Sequence, residues 1–509
     1  MGETLAVTSR RTALLGLLAC ALTLTACSAG DAPALPAERP APTAVTTPSA
    51  SPAALSAWEP CPAADGFECA TLPVPLSDDD PSAGQIDLAL TRRVTAGKDR
   101  IGSLIVNPGG PGASAVEYLQ AAYQDLPEPV RQRFDVVAFD PRGVGSSAPV
   151  RCSTTDELDR YFHLDPSPDD AGELAAYAEG NKALTDGCQR RSGRVLPHVS
   201  TAVAAADLDR VRTALGEPRL NYLGYSYGTS IGAAYLERYP HRVRAMVLDG
   251  AVDPTLTWDA LLEGQSRGFD TALNAFLADC ARSPCAFRDA VRGDLGAAYD
   301  ALAARVESRP LPGEGARTVG PGEMSLGVGA GLYSREYGWP AISDALAAAQ
   351  GGDGAALLAL SDTYLERGPS GYANVSEANI AVNCIDRPWP RTTKPYLDLA
   401  ERVGRTSPRF GPAIALSGLA CASWPVPPVD RPQPVTGQGA PAVVVIGTTR
   451  DPATPYAWSQ SLADQLTSGV LMTYDGDGHT IYRAGAPACI TRPVNTYLIT
   501  GKAPPATRC

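Results

Sequence analysis

Short, continuous apolar runs alternate with amphipathic stretches along most of this chain. Ile86 to Val94 alternates loosely, as a half-buried strand would. Ser103 to Asn107, Phe134 to Asp140, Leu220 to Leu223, Val243 to Leu248, Ala442 to Ile446 and Val470 to Tyr474 are apolar nearly throughout. Runs of that kind suit strands buried on both faces of a sheet. Between them, Thr201 to Leu215 and Ile231 to Arg238 carry helical spacing, with Asp207, Arg210 and Arg212 expected on a solvated face. Strands alternating with helices and separated by glycine-rich turns predict an α/β fold, a mostly parallel sheet flanked by helices.

The pattern changes between residues 254 and 435. Strand signals fade and Ala/Leu-rich helical stretches follow one another: Leu261 to Cys280, Arg288 to Ser308, Trp339 to Gln350, Ala355 to Arg367 and Pro395 to Val403. This reads as a helical insertion that divides the core into residues 57–253 and 436–509.

The strand ends carry the candidate chemistry. Gly224-Tyr-Ser226-Tyr-Gly228 links an apolar run to a helix, the strand–turn–helix context of a nucleophile elbow. The turn lifts the serine hydroxyl clear of the backbone, and the flanking glycines let the chain close on itself. The motif alone is weak. With 49 Gly in the chain, chance supplies roughly 0.3 such matches, and Gly228-Thr-Ser230-Ile-Gly232 is an overlapping one. Ser230 falls a turn inside the helix, where a back-bond to a carbonyl is the plainer reading, so Ser226 is the expected nucleophile. Asn107-Pro-Gly-Gly-Pro-Gly112 follows a buried strand, where bare backbone N–H groups can meet a developing negative charge. Gly109 or Gly110, with Tyr227, are therefore the expected oxyanion donors.

A serine hydroxyl needs a base, and the base needs a carboxylate to fix its tautomer. Asp451 follows one late strand and His479 the next. The order Ser226, Asp451, His479 is that of the α/β-hydrolases. His163, His198 and His241 are weaker choices for the base, and Asp477 and Asp253 compete with Asp451 for the acid. Thr454 could hydrogen-bond near Asp451 or simply stabilise the turn.

Composition adds a compartment. Arg10 and Arg11 precede an apolar run, Ala13 to Leu24, too short to span a bilayer. It ends in Leu24-Thr-Ala-Cys27, so residues 1–26 read as a signal peptide and Cys27 as a lipidation site. Residues 27–56, rich in Pro, Ala, Ser and Thr, read as a tether. The ten cysteines beyond Cys27 imply disulfides in an exported protein, with sequential pairing expected. No C-x-x-C occurs and the four histidines are scattered, so no metal site is expected, nor any cofactor. A net charge of −12 without a basic tract argues against nucleic acid as a partner. The only membrane contact expected is through the lipid.

Taken together, Asn107-Pro-Gly-Gly-Pro-Gly, Asp140-Pro-Arg-Gly-Val-Gly-Ser, Leu-Gly-Tyr-Ser226-Tyr-Gly-Thr, Val-Leu-Asp249-Gly-Ala-Val-Asp-Pro and Asp451-Pro-Ala-Thr-Pro resemble the secreted tripeptidyl-aminopeptidase group. These are actinobacterial α/β-hydrolase serine peptidases related to prolyl aminopeptidases. The likeness spans Trp58 to Cys509 and includes Asn383-Cys-Ile-Asp386. Prolyl aminopeptidases usually have His-Gly-Gly-Pro-Gly where this chain has Asn-Pro-Gly-Gly-Pro-Gly. The resemblance implies an exported serine hydrolase that releases short peptides from free N-termini, its helical insertion acting as a lid. It also implies that acidic lid residues hold the substrate amine, with Asp386 the first choice and Glu336 and Asp344 weaker ones. A carboxylesterase is the alternative reading, and a catalytically silent surface-binding lipoprotein is the rival from another class.

Overall fold

The computed structural model describes residues 54–509. The leader, Cys27 and most of the tether lie outside the described residues. Ten strands make one sheet: β1 (Glu59–Pro60), β2 (Glu68–Pro75), β3 (Gln85–Arg93), β4 (Gly102–Asn107), β5 (Phe134–Phe139), β6 (Leu220–Tyr225), β7 (Val243–Asp249), β8 (Val443–Arg450), β9 (Gly469–Asp477) and β10 (Thr507–Arg508). Their order is β1-β2-β3-β5-β4-β6-β7-β8-β9-β10. The first three strands, and β3 against β5, pair antiparallel; from β5 onward every pairing is parallel.

Burial explains the apolar runs. Every residue of β4, β5 and β6 is buried, because both faces of the sheet are covered. On one face Ile105, Tyr222, Met246 and Val445 pack against Leu208, Ile231 and Leu462. On the other, Leu104, Val106, Leu223 and Val444 pack against Leu119, Ile490 and Val494. Successive strand residues thus enter opposite cores, as a period of two requires.

Several elements depart from expectation. Strand β2 and the long helix Ala171–Ser192 were not legible as such, nor were the helices Pro321–Leu332, Val375–Asp386, Tyr456–Gln465 and Ala488–Thr500. The expected helix at 288–308 is two, Ala286–Ala290 and Leu295–Ser308, broken by Gly293 at φ +90°. Asp207 and Arg212 are not solvated. Asp207 is fully buried and binds the equally buried Arg142 through two hydrogen bonds, Nε to Oδ2 at 2.6 Å and Nη2 to Oδ1 at 2.8 Å. Arg142 also donates to the carbonyls of Leu76 and Pro75, clamping the turn after β5 to the end of β2. Arg212 pairs with Asp209 at 2.8 Å. Periodicity could not show this, since it assigns a charge to water unless a buried partner exists.

The helices between β7 and β8, together with Thr155–Phe162 and Ala171–Ser192 from the connection between β5 and β6, stand over the C-terminal ends of the parallel strands. The two groups are tied to each other by polar contacts: His163 to Glu323 at 3.0 Å, Asp159 to Arg367 at 2.8 Å, and Glu377 accepting from the Cys152 and Ser153 N–H groups. The disulfides pair in sequence order, Cys61–Cys69, Cys152–Cys188, Cys280–Cys285, Cys384–Cys421 and Cys489–Cys509. Five such bridges fit an oxidising, extracytoplasmic compartment.

Candidate active site

Strand β6 ends at Tyr225, and helix Gly228–Arg238 begins three residues later. Ser226 bridges them with φ at +53°, a left-handed conformation costly for a non-glycine residue. The neighbouring glycine follows from this turn. A Cβ on Gly224 would lie 2.5 Å from the Gly228 carbonyl oxygen. Ser230 sits within the helix, its N–H on the Tyr227 carbonyl, yet it also lines the cavity described below.

Asp451 follows β8 and His479 follows β9, two neighbouring parallel strands. The Nδ1–H of His479 donates to both Asp451 oxygens at 2.9 Å. Asp451 is buried and also accepts the N–H groups of Ala453 and Thr454, at 2.9 and 2.8 Å. Thr454 Oγ1 donates to Asp451 Oδ2 at 3.0 Å and lies 3.2 Å from His479 Nδ1. Thr454 thus both holds the turn and touches the pair. Burial pulls the His479 pKa down, but the Asp451 charge and hydrogen bond outweigh it, so the net shift is upward. Nε2 of His479 is buried and has no hydrogen-bond partner among the described residues. It is free to serve Ser226, which lines the same cavity; in an unliganded site this contact is commonly loose.

The competing residues are engaged elsewhere. Asp477 forms a two-point ion pair with Arg450 at 2.6 and 3.2 Å. Asp253 holds its own turn through Thr255 and accepts from Gln465. His163 pairs with Glu323, and His198 and His241 lie on or beside short helical turns away from the Ser226 cavity. Asp249, at the end of β7, accepts the Ile481 and Tyr482 N–H groups and so anchors the loop carrying His479. Burial lifts its pKa to about 6. This carboxylate went unremarked in the sequence, although it ends a strand just as Asp451 does.

The glycine loop after β4 meets the elbow. A Cβ on Gly109, at φ +100°, would lie 2.8 Å from Ser226 Cβ and 2.9 Å from Tyr227 N. The N–H of Gly109 donates to Asn107 Oδ1 at 3.0 Å. The N–H groups of Gly110 and Tyr227 are left without a partner among the described residues. The helix beginning at Gly228 adds the positive end of its dipole at the same point.

A cavity of about 880 Å³ lies over this machinery, lined by Gly110, Ser226 and His479 from the core and by cap residues such as Tyr161, Phe269 and Tyr333. Tyr333 reaches the histidine itself: its carbonyl accepts the His479 N–H at 2.8 Å, and its ring stands edge-on to the imidazole at 5.2 Å. Asp386 is in the cavity wall, but both its oxygens are occupied by Thr201, through the backbone N–H and Oγ1. Glu336 pairs with Arg483 at 2.8 Å on the exterior and does not line the cavity, and neither does Asp344. Glu366 does line it. It has φ at +51° and is exposed overall; partial burial of its carboxyl and the charges of Glu117 and Asp140 push its pKa up.

A sheet of this topology with a strained serine after one strand and an aspartate–histidine pair after two others defines a class. The alpha/beta hydrolase fold model matches residues 102–483, and the chain belongs to that family. Among curated proteins it is similar to the serine protease Hip1 of Mycobacterium tuberculosis (39% identical over 470 residues, 88% of this chain and 89% of the relative). It is similar to carboxylesterase B of the same species (38% over 452 residues, 87% and 86%). It is also similar to a tripeptidyl aminopeptidase of Streptomyces lividans (33% over 466 residues, 87% and 84%). The protein is a serine hydrolase of this group.

Proposed function

We propose that the protein is an exported aminopeptidase that releases short peptides, of tripeptide size, from free N-termini. Ser226 Oγ attacks the scissile carbonyl while His479 Nε2 takes its proton, and Asp451 stabilises the imidazolium. The oxyanion accepts hydrogen bonds from the N–H groups of Tyr227 and Gly110. Gly109 is the weaker of the two glycine candidates, because its N–H is already held by Asn107. Collapse of the tetrahedral intermediate breaks the C–N bond, and His479 gives its proton to the departing amine. Water, activated by His479, then attacks the acyl ester and frees Ser226.

The observation that carries this reading is the cavity over Ser226, because Glu366, an exposed carboxylate with no hydrogen-bond or ion-pair partner among the described residues, is part of its lining. An α-ammonium would find a charge partner there, while the cap blocks a longer N-terminal extension. Asp386 is the weaker candidate for this role, since Thr201 already holds both its oxygens. The esterase alternative draws support from the similarity to carboxylesterase B, and it uses the same nucleophile and base.

The test offers the purified protein peptides with free and with acetylated N-termini, beside matched esters, with products read by mass. Release of tripeptides from free N-termini alone supports the proposal, and Glu366→Gln should then raise KM about tenfold for those peptides. Turnover of esters only would replace it with the esterase reading. A protein inert to fluorophosphonate would be the silent binding lipoprotein. Anchoring through Cys27 belongs to the same proposal: Cys27→Ser should release the protein from membranes with its activity unchanged.

A further inference from the structure

Arg387 ends the helix Val375–Asp386 and lines the catalytic cavity. Its guanidinium makes no hydrogen bond within the described residues, and Nε and Nη1 are buried without a partner. A guanidinium offers five N–H donors in a fixed planar fork, and in protein interiors such a group is normally paired. The adjacent carboxylate does not pair with it, because Asp386 Oδ1 takes the Thr201 N–H at 2.8 Å and Oδ2 takes Thr201 Oγ1 at 2.5 Å. Burial pulls the Arg387 pKa down while the charge of Asp386 offsets this, leaving a charged group whose donors are all unused.

The position is close to the chemistry. Thr201 Oγ1 also meets Tyr227 Oη at 2.7 Å, and Tyr227 follows the nucleophile. Arg387 and Tyr227 influence each other electrostatically, and both line the cavity that holds Ser226. Among the charged residues that line this cavity, the acidic Glu366 and the basic Arg387 are cap groups without a hydrogen-bond partner among the described residues.

We propose that Arg387 is a carboxylate-recognition site, which makes the enzyme prefer substrates bearing a carboxylate within a few residues of the cleaved bond. The carboxylate can be an acidic side chain or the C-terminus of a short peptide; both present the planar two-oxygen group that the fork matches. The proposal deepens the peptidase reading, but it concerns the cavity and not the bond cleaved.

Binding is measured by calorimetry on Ser226→Ala protein, which cannot turn over its ligand. Three tripeptides are compared: one with an acidic side chain and an amidated C-terminus, one neutral with a free C-terminus, and one neutral and amidated. One or both carboxylate ligands should bind about 10- to 100-fold tighter than the neutral amide, and the stronger identifies the source. Adding Arg387→Gln should erase that difference while leaving the neutral amide's Kd unchanged, and Arg387→Lys should restore part of it. Equal affinities for all three peptides would overturn the proposal. So would equal losses for all three in Arg387→Gln, which would mean that the residue supports the cap. The peptidase reading is judged separately, by turnover with Ser226 intact. If only esters are cleaved, a hemisuccinate ester should still be preferred over a butyrate ester, and Arg387→Gln should remove the preference.

Discussion

The two halves of the cavity are built by different means. Below, the reacting groups are placed by backbone: Ser226, Asp451 and His479 each follow a parallel strand, and the free donors are the N–H groups of Gly110 and Tyr227. Above, the helical cap is held by side chains and disulfides, through His163–Glu323, Asp159–Arg367, Glu377 on the Cys152 turn, Cys280–Cys285 and Cys384–Cys421. In the lower half, His479 Nε2 is left without a partner among the described residues, as are Asp249 Oδ1 and Thr448 Oγ1 at the ends of neighbouring strands. The upper half leaves whole charged side chains, Glu366 and Arg387, facing the cavity. Under the proposed function, bond-breaking falls to the sheet and choice of substrate to the cap.

The comparison breaks most sharply at the nucleophile. Ser226→Ala should abolish hydrolysis and fluorophosphonate labelling with thermal unfolding unchanged, whereas Ser230→Ala, one helical turn away, should keep both activities. Labelling that survives the first and vanishes in the second would move the nucleophile into the helix. Next in size, Asp451→Asn should lower turnover by about 10⁴-fold. It should also displace the acid limb of the pH–rate profile. Catalysis needs neutral His479, whose pKa is raised by Asp451, so activity in the parent rises with pH through a value above 6.5. Removing the charge should move that rise to lower pH, and an unmoved limb would assign the effect to Asp249.

Stability should divide along the same line. Arg142→Ala strands the buried Asp207 carboxylate beneath the sheet, and chemical denaturation should show a loss of about 3–5 kcal/mol. A loss below about 1 kcal/mol would mean that Arg210, also bound to Asp207, is sufficient compensation. The smallest effect belongs to the cap. Burial lifts the Asp386 pKa to about 6 from its ordinary 3.8. A carboxyl raised in this way adds stability in acid, and the contribution is lost as pH rises from the ordinary value through about 6. Asp386→Asn should therefore flatten the stability profile across that window, by up to about 3 kcal/mol at neutral pH. An unchanged slope would show that the two Thr201 hydrogen bonds already offset the burial.

The sequence by itself determined the sheet and its chemistry. Strands buried on both faces must be apolar throughout, so β4, β5, β6, β7 and β8 were visible as runs, and glycines forced by the elbow marked Ser226. Asp451 and His479 were found because each follows such a run. The cap was less legible, since its helices pack on several sides and lose clean periodicity; Val375–Asp386 and Pro321–Leu332 were missed for that reason. What only the tertiary structure decided was which charges have partners. Asp386 was the first choice for the substrate amine, but Thr201, distant in sequence, takes both its oxygens. Asp207 looked solvated, but the Arg142 fork closes over it. Pairing of charges depends on long-range contacts that no local pattern encodes, so the Asp451–His479 pair at the strand ends could be expected from the chain while the cavity-lining positions of Glu366, Arg387 and Tyr333 could not.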